Sequence, residues 1–207
     1  MAEIAIEGRK TRSDGERSRA AILDAAVRLT TTEGLEGLSI GRLAEATGMS
    51  KSGLYAHFGS KEELQLATVK AAGRIFVDQV VIPTRGVPDG LERLEALLES
   101  FLSYIEREVF PGGCFFEATM AEFDTAPGPV RDTLVWAIEG WREKIRSQIA
   151  EAQRRGQIAA DEEPEQLAFE LDAFTSRAND QFVAGDAKAI ARARVAVRRR
   201  LEIARAS

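Results

Sequence analysis

The sequence predicts an all-α protein of about nine helices, with a small N-terminal unit and a larger C-terminal one. Apolar residues recur at helical spacing along nearly the whole chain, and the run Leu91, Leu94, Leu98, Phe101, Ile105 is one example. Glycine or proline interrupts each periodic run, as expected at helix ends. No strand-like alternation competes with this pattern.

In the N-terminal unit, each predicted helix starts at a serine that can cap it and stops at a glycine. The start and stop pairs are Ser13 and Gly34, Ser39 and Gly48, and Ser50 and Gly59. Residues 1–12 lack periodicity and are expected to form a flexible arm. A second capping box, Ser60-Lys61-Glu62-Glu63, opens a helix that runs toward Pro83. The expected organisation is an arm at 1–12, a head at 13–60 and a larger domain at 61–207.

The larger domain shows longer periodic runs. They extend from Pro88 to about Val109, from Cys114 to Phe123, through Leu134, Ile138, Trp141, Ile145 and Ile149 to near Gly156, from Pro164 to 184, and from 187 to 204. We see no internal repeat.

Composition limits the classes of function. The chain has 207 residues, 44% of them hydrophobic and 29% charged, which is ordinary for a globular protein. A single cysteine allows no internal disulfide and favours a reducing, cytoplasmic setting. No apolar run approaches the ~18 residues that a membrane span needs, and the N-terminus has no secretory apolar region.

Charge is distributed unevenly. From Arg9 to Lys61 there are nine Lys/Arg against six Asp/Glu, an excess of three positive charges in a chain whose net charge is −5. The rest of the chain therefore carries −8. This asymmetry indicates two different tasks for the two units, with a polyanion as partner of the first.

Residues 39–58 predict a helix-turn-helix, because the short linker Thr47-Gly48-Met49-Ser50 forces two helices to cross steeply. The second helix of such a motif enters the major groove of DNA. Leu54 and Phe58 are expected to pack in the core, and the opposite face of this second helix is expected to contact the duplex. The predicted DNA-binding residues are Ser39, Ser50, Lys51, Ser52, Gly53, Tyr55, His57 and Lys61. Whether Arg12, Arg17 and Arg42 also contact DNA is left open.

This stretch resembles the TetR/AcrR family of bacterial transcriptional regulators. The similarity spans residues 15 to about 69, through Ala21-Ile22-Leu23-Asp24-Ala25-Ala26, Gly48-Met49-Ser50-Lys51, Leu54-Tyr55-Ala56-His57-Phe58 and Ser60-Lys61-Glu62-Glu63-Leu64. The resemblance implies a dimer that binds a palindromic DNA operator, usually as a repressor, although activation stays open. It also places the eight residues above on DNA-contacting positions. Ser52 and Gly53 depart from the usual Gly followed by a hydrogen-bonding residue, so specificity is expected to rest on Ser52, His57 and DNA shape.

By the same resemblance, the larger domain holds a small-molecule effector pocket and a dimer interface. The candidate pocket is aromatic, which favours a mainly apolar or aromatic effector: Phe76, Phe101, Tyr104, Phe115, Phe116, Met120, Phe123, Trp136 and Trp141. For any single member, plain core is the simpler interpretation. Tyr104, Glu106 and Glu117 are candidates for a polar contact.

Two Ala-rich C-terminal helices are candidates for pairing with a second copy in a homodimer. The predicted interface residues are Leu167, Leu171, Phe174, Phe182, Ile190, Val197 and Leu201. The run Arg192, Arg194, Arg198, Arg199 and Arg200 indicates either a second nucleic-acid surface or, more simply, a solvated face with ion pairs.

The rival classes are an enzyme and an interaction protein without effector. Cys114 is the only candidate thiol, but the only histidine, His57, lies in the N-terminal motif, so no Cys-His pair is expected in the larger unit. Glu117 and Glu122 could serve as an acid and a base, although their spacing is common on surface helices. The sequence also lacks a His/Cys set for a metal, and no catalytic residue, metal or cofactor is predicted. Redox sensing by Cys114 is a minor alternative to a buried, inert thiol.

Overall fold

Nine α-helices and two short helical segments follow one another along the described part of the chain. The structure is a computed structural model that describes residues 3–125 and 127–206, with side chains from residue 15 onward. The helices are α1 (Glu3–Glu33), α2 (Ile40–Thr47), α3 (Lys51–Phe58), α4 (Lys61–Phe76), α5 (Leu91–Glu106), α6 (Phe115–Phe123), α7 (Pro129–Arg154), α8 (Pro164–Val183) and α9 (Ala189–Ala204). Extended pairing over these residues is limited to one isolated bridge between Ile158 and Arg205. The all-α prediction is confirmed.

Helix α1 is longer than predicted. Its backbone is helical from Glu3, where the sequence analysis expected an arm over residues 1–12 and a start at Ser13. The residues of this segment favour helix even though they form no apolar stripe, so periodicity alone missed it. Residues 1 and 2, and the side chains of Ser13 and its neighbours, lie outside the described residues. Whether the segment is mobile stays a prediction.

The helix starts of the head follow the serine caps. The Oγ atoms of Ser39, Ser50 and Ser60 accept hydrogen bonds from backbone N–H groups three residues on, at 3.1–3.2 Å. Gly48 and Gly59 both adopt φ of +68°, a conformation that side chains with a Cβ disfavour. Helix, turn and helix therefore lie where local chemistry predicts them.

The helix that leaves the head changes its winding. After Phe76, α4 continues as a π-helical segment, Val77–Val81, followed by a single 3₁₀ turn, Ile82–Thr84. The sequence predicted one regular helix to Pro83. Such wide turns inside helices are frequent at functional sites, and this one borders the cavity described below.

Two hydrophobic clusters form the interior. The first joins head and body, because Leu54 and Phe58 of α3 belong to the same cluster as Phe101 and Phe115 of the body. The second lies among α5, α7, α8 and α9, around Leu94, Ile149, Leu167 and Leu201. None of the described helices is long and apolar enough to cross a membrane.

Candidate nucleic-acid interface and effector cavity

Helix α3 is anchored on one face and open on the other. Leu54 and Phe58 are 0% and 2% exposed and hold the helix on the core. The opposite face carries Lys51, Ser52 and Tyr55, all exposed, and Tyr55 is 55% exposed. A large aromatic ring left in solvent beside a lysine on a rigid helix suits a nucleic-acid surface better than a core role.

Lys51 lies beside the start of α2. A Cβ placed on Gly41 would lie 3.8 Å from Lys51 Nζ and 3.8 Å from Ser39 Oγ, so ammonium, hydroxyl and the free N–H groups of α2 are close together. Ammonium groups and helix N-termini both attract anions. This arrangement provides the donors that one phosphate needs.

The remaining predicted DNA residues frame the same surface. The hydroxyls of Ser50 and Ser52 are 3.2 Å apart, while Ser50 also caps the helix. A Cβ at Gly53 would lie 3.2 Å from Ser50 Oγ, so glycine there leaves room for the cap. His57 is half-buried at the end of α3, and Lys61 is exposed at the first position of α4. The structure therefore places these residues on or beside one face; their contact with DNA stays a prediction.

Two arginines of the head serve the fold. Arg42 makes hydrogen bonds of 2.7 and 2.6 Å to both carboxylate oxygens of Glu33, which raises the pKa of Arg42 and lowers that of Glu33. Arg19, which the sequence analysis did not single out, lies 4.6 Å over the Phe58 ring and donates to the His57 carbonyl at 3.4 Å. Arg17 has an interaction within the chain, and the Arg12 side chain lies outside the described residues.

Glu122 of α6 holds the loop that leads into α2, a contact that sequence patterns did not reveal. Its two carboxylate oxygens accept the backbone N–H groups of Leu35 at 2.9 Å and Glu36 at 2.8 Å. The carbonyl of Leu35 accepts from Gln65 of α4 at 2.8 Å. The loop between α1 and α2 is thus tied both to the body and to the helix that leaves the head.

A second joint links α1 to the glycine pair before α6. The Gly112 N–H donates to Thr31 Oγ1 at 3.3 Å, and Arg28 donates to the Val109 carbonyl at 3.2 Å. A Cβ at Gly112 would lie only 1.7 Å from the Thr31 carbonyl oxygen. The backbones of Gly112 and Thr31 lie so close together that only glycine fits, which explains one residue of the Pro111-Gly112-Gly113 break.

An open cavity of about 490 Å³ lies between α7 on one side and α4 with its π-helical continuation on the other. Phe76, Phe116, Trp136 and Trp141 line it, so part of the predicted aromatic lining is in place. The Phe76 and Trp141 rings meet edge to face with centroids 5.3 Å apart. The volume falls in the usual range for small-molecule sites.

The other predicted lining residues are elsewhere. They are Phe101, Tyr104, Phe115, Met120 and Phe123, which belong to or pack against the core behind the cavity. Phe101 stacks on the inner side of Trp141, with centroids 5.7 Å apart. None of these five residues lines the cavity, although Phe101 and Tyr104 contact the lining residue Phe76 from behind.

The predicted polar contacts also lie outside the cavity. Glu106 binds Arg194 at 2.7 Å, and Glu117 accepts from the Ser176 hydroxyl at 2.7 Å. Tyr104 is buried, which raises its pKa. The charged residues that do line the cavity are Lys70, Arg74, Asp78 and Lys144, none of which was singled out from the sequence.

Cys114 is buried in front of α6. Burial, reinforced by the nearby Glu117 carboxylate, raises the pKa of the thiol to about 12. The thiol is therefore protonated near neutral pH and a poor nucleophile. In the described part of the chain no group of three or more acidic, His or Cys residues is arranged to hold a metal.

The predicted dimer residues belong mostly to the subunit interior. Leu167, Leu171, Ile190, Val197 and Leu201 are at most 7% exposed and pack in the core clusters, while Phe174 and Phe182 are partly buried. This differs from the prediction, because helical periodicity identifies the buried stripe and not the outer face. The outer faces of α8 and α9 expose Phe169, Val183, Val195 and Ile203 instead.

The arginine run of α9 is largely ion-paired within the subunit. Arg192 pairs with Asp186, Arg194 with Glu99 and Glu106, and Arg200 with Glu162 and Glu170. Carboxylates thus neutralise much of this positive charge. A solvated, ion-paired face fits this arrangement better than a second nucleic-acid surface.

Comparison with known proteins agrees with the fold and the head. The family described as "Tetracyclin repressor-like, C-terminal domain" matches residues 90–197, and "Bacterial regulatory proteins, tetR family" matches residues 22–68. The transcriptional regulator AcuR of Cereibacter sphaeroides is 24% identical over 158 residues, covering 75% of this chain and 71% of AcuR.

Solved structures show the same architecture. A TetR transcriptional regulator from Chloroflexus aurantiacus superposes with a TM-score of 0.82 and 28% identity, over 89% of this chain and 94% of that one. AibR, crystallised with isovaleryl coenzyme A and operator DNA, superposes with a TM-score of 0.65 and 23% identity, over 81% and 95% of the two chains. This chain belongs to the TetR family of DNA-binding transcriptional regulators and is not an enzyme.

Proposed function

We propose that this protein is a cytoplasmic, one-component repressor that binds a palindromic operator as a homodimer and is released by a small, mainly apolar or aromatic effector. The observation that carries the proposal is the open face of α3, where Lys51 and Tyr55 stand in solvent on a helix fixed by Leu54 and Phe58. A helix fits the ~12 Å major groove.

On DNA, each part of this face has a separate role. Lys51 and the start of α2 hold a phosphate and set the register, which carries no sequence information by itself. Ser52 and Gly53 are small and allow close approach, while the Tyr55 ring suits a thymine methyl or a phosphate. Base choice rests on Ser52, His57 and the shape of the duplex.

The dimer is proposed to form through the outer faces of α8 and α9. A shallow groove beside Phe174 is bordered by the exposed Ala173 and the partly exposed Ala196, and the buried Ala189 and Ala193 also line it. Small side chains let helices of a second copy approach closely, and two-fold symmetry makes the same patch serve both partners. The two α3 helices then meet half-sites ~34 Å apart.

The effector is proposed to act from the cavity on α4. The π-helical segment that lines the cavity continues directly from α4, which begins at the end of the DNA-facing motif. An occupant that moves this segment changes the separation of the two α3 helices and so favours release. AibR, whose crystal structure contains isovaleryl coenzyme A and operator DNA, has a similar fold and supports this proposal by analogy.

The test uses the DNA next to the protein's own gene, scanned for a palindrome, in a fluorescence anisotropy titration. The double variant Lys51→Ala/Tyr55→Ala should bind about 100-fold more weakly, because the dimer loses two lysine and two tyrosine contacts at about 0.7 kcal/mol each. Lys188→Ala, an exposed lysine at the start of α9, is the matched control. Unchanged binding by the double variant would refute the docking.

Two further measurements test the rest of the proposal. Analytical ultracentrifugation should show a dimer at micromolar concentration, and a monomer there would refute the interface. An effector should weaken operator binding; tighter binding on effector addition would reverse the sign of the switch.

A further inference from the structure

We infer that the cavity between α4 and α7 takes an organic anion, a carboxylate carried on a flat apolar body. This deepens the proposed function, because it assigns a chemical class to the effector of the same site. Four features of the cavity carry it: its charge, its aromatic walls, one glycine and the π-helical segment.

The cavity is lined by three cations and one anion. Lys70 and Arg74 lie one turn apart on α4, Lys144 faces them from α7, and Asp78 is the single carboxylate. Among the described residues none of these three cations has an ion-pair partner, and none makes a side-chain hydrogen bond. Arginines on the rest of the body are mostly paired, as Arg146 is with Glu139 at 2.6 Å. An unneutralised cationic site attracts an anion and disfavours a cation.

The body of the cavity is apolar and aromatic. Trp141, Phe76 and Phe116 line it, and the Phe76 ring packs edge to face with each of the other two. Trp136 stands at the rim with 78% of its surface exposed, which is unusual for the largest apolar side chain. A flat apolar group lying against these rings would take Trp136 out of water, which is favourable.

Gly140 lies in the middle of α7 and lines the cavity. Glycine in a helix interior is less stable than alanine. A Cβ at this position would meet nothing within 4 Å, so packing within the chain does not require glycine. A ligand that lies directly against the helix backbone gives the missing reason.

The segment on the opposite wall links the cavity to the head. Val77, Asp78 and Val81 line the cavity and all belong to the π-helical segment that continues from α4. A carboxylate held by Lys70 and Arg74 would pull on α4 itself, while its body presses on this segment. The site is therefore built to act on the helix that leaves the head.

Isothermal titration calorimetry of the full chain with three matched probes tests the charge. The probes are 4-biphenylacetate, its neutral amide and the corresponding primary ammonium compound. The carboxylate should bind about ten-fold more tightly than the amide, the ratio expected for one charge-assisted hydrogen bond, and the ammonium compound most weakly. Both tryptophans of the chain line the cavity, so carboxylate binding should also change the tryptophan fluorescence.

Variants locate the binding. Lys144→Gln should lower the affinity for the carboxylate part of the way to that for the amide, because Lys70 and Arg74 remain in the cavity. Lys188→Gln, at an exposed lysine that does not line the cavity, should not change it. We test Lys144 because Lys70 and Arg74 also face a groove toward His57. Gly140→Leu should block all binding by filling open space; Trp136→Ala, at an exposed rim position, should weaken binding of all probes alike.

Equal affinity for carboxylate and amide would overturn the assignment of charge, and so would a lack of binding by all three probes at millimolar concentration. Carboxylate affinity that neither Gly140→Leu nor Trp136→Ala lowers would overturn the location. These failures differ from failure of the proposed function. A carboxylate that binds as expected but leaves operator affinity unchanged supports the site and refutes its role as effector.

Discussion

Glu122→Ala should loosen the joint between the head and the body. The substitution removes both hydrogen bonds that hold the loop before α2, those from the Leu35 and Glu36 N–H groups at 2.9 and 2.8 Å. It leaves the hydrophobic cluster that joins the two units in place. The head should therefore remain folded but be held less tightly.

The magnitude follows from the different exposure of the two donors. Leu35 is 0% exposed, so its N–H loses its partner without access to water, which costs about 1–3 kcal/mol. Glu36 is exposed, so water replaces the lost acceptor and about 0.5 kcal/mol or less is expected. The free energy of unfolding should fall by about 2 kcal/mol, and the melting temperature by about 4–8 °C.

Urea unfolding followed by circular dichroism measures this change. Glu122→Gln keeps one acceptor oxygen and should lose about half as much, while Glu202→Ala, an exposed glutamate of α9, is the control and should change little. If Glu122→Ala unfolds within about 0.5 kcal/mol of the unaltered protein, the carboxylate does not hold the loop and the reasoning fails.

Three other results are expected. Lys51→Ala should make the plot of log binding constant against log salt concentration shallower by about 1.8, because a dimer loses two phosphate contacts. The loss of affinity caused by the substitution should therefore shrink about ten-fold between about 50 and about 200 mM salt. Lys188→Ala should leave the slope unchanged, and an equally shallow slope for that variant would count against a specific contact by Lys51. Cys114, whose pKa is raised to about 12, should react slowly with Ellman's reagent at pH 8 until the protein is unfolded, and rapid reaction of the native protein would contradict its burial. Above about pH 9 the thiol ionises in the unfolded chain but stays neutral in the folded protein, so the free energy of unfolding should fall as pH rises. Gly112→Ala should destabilise by about 2 kcal/mol or more, because its Cβ would lie 1.7 Å from the Thr31 carbonyl oxygen; an unchanged melting temperature would show that the contact relaxes freely.

Local chemistry predicted the head well. Serine caps and left-handed glycines act within four residues, so the positions of α2 and α3 follow from Ser39, Gly48 and Ser50 alone. The buried face of α3 follows from the spacing of Leu54 and Phe58. Such features need no knowledge of the tertiary fold.

The body was less predictable because its function depends on contacts between distant segments. The periodicity of Leu167 and Leu171 identified the subunit core and was interpreted as an interface. The aromatic count could not separate Trp136, at a cavity rim, from Phe115, in the core. Glu122 and Lys144 look like ordinary helix charges until the fold places one on a loop of the head and the other in a cavity.

The placement of α3 in the major groove is tested most directly by cleavage of operator DNA with a reagent attached to α3. An iron chelate can be attached selectively to the introduced cysteine of Ser52→Cys, because the natural Cys114 is buried. Cleavage is expected at two symmetric positions about one helical turn apart, and none is expected from the same reagent on Lys188→Cys. Bound operator left intact by the Ser52 probe would contradict the placement of α3 in the groove.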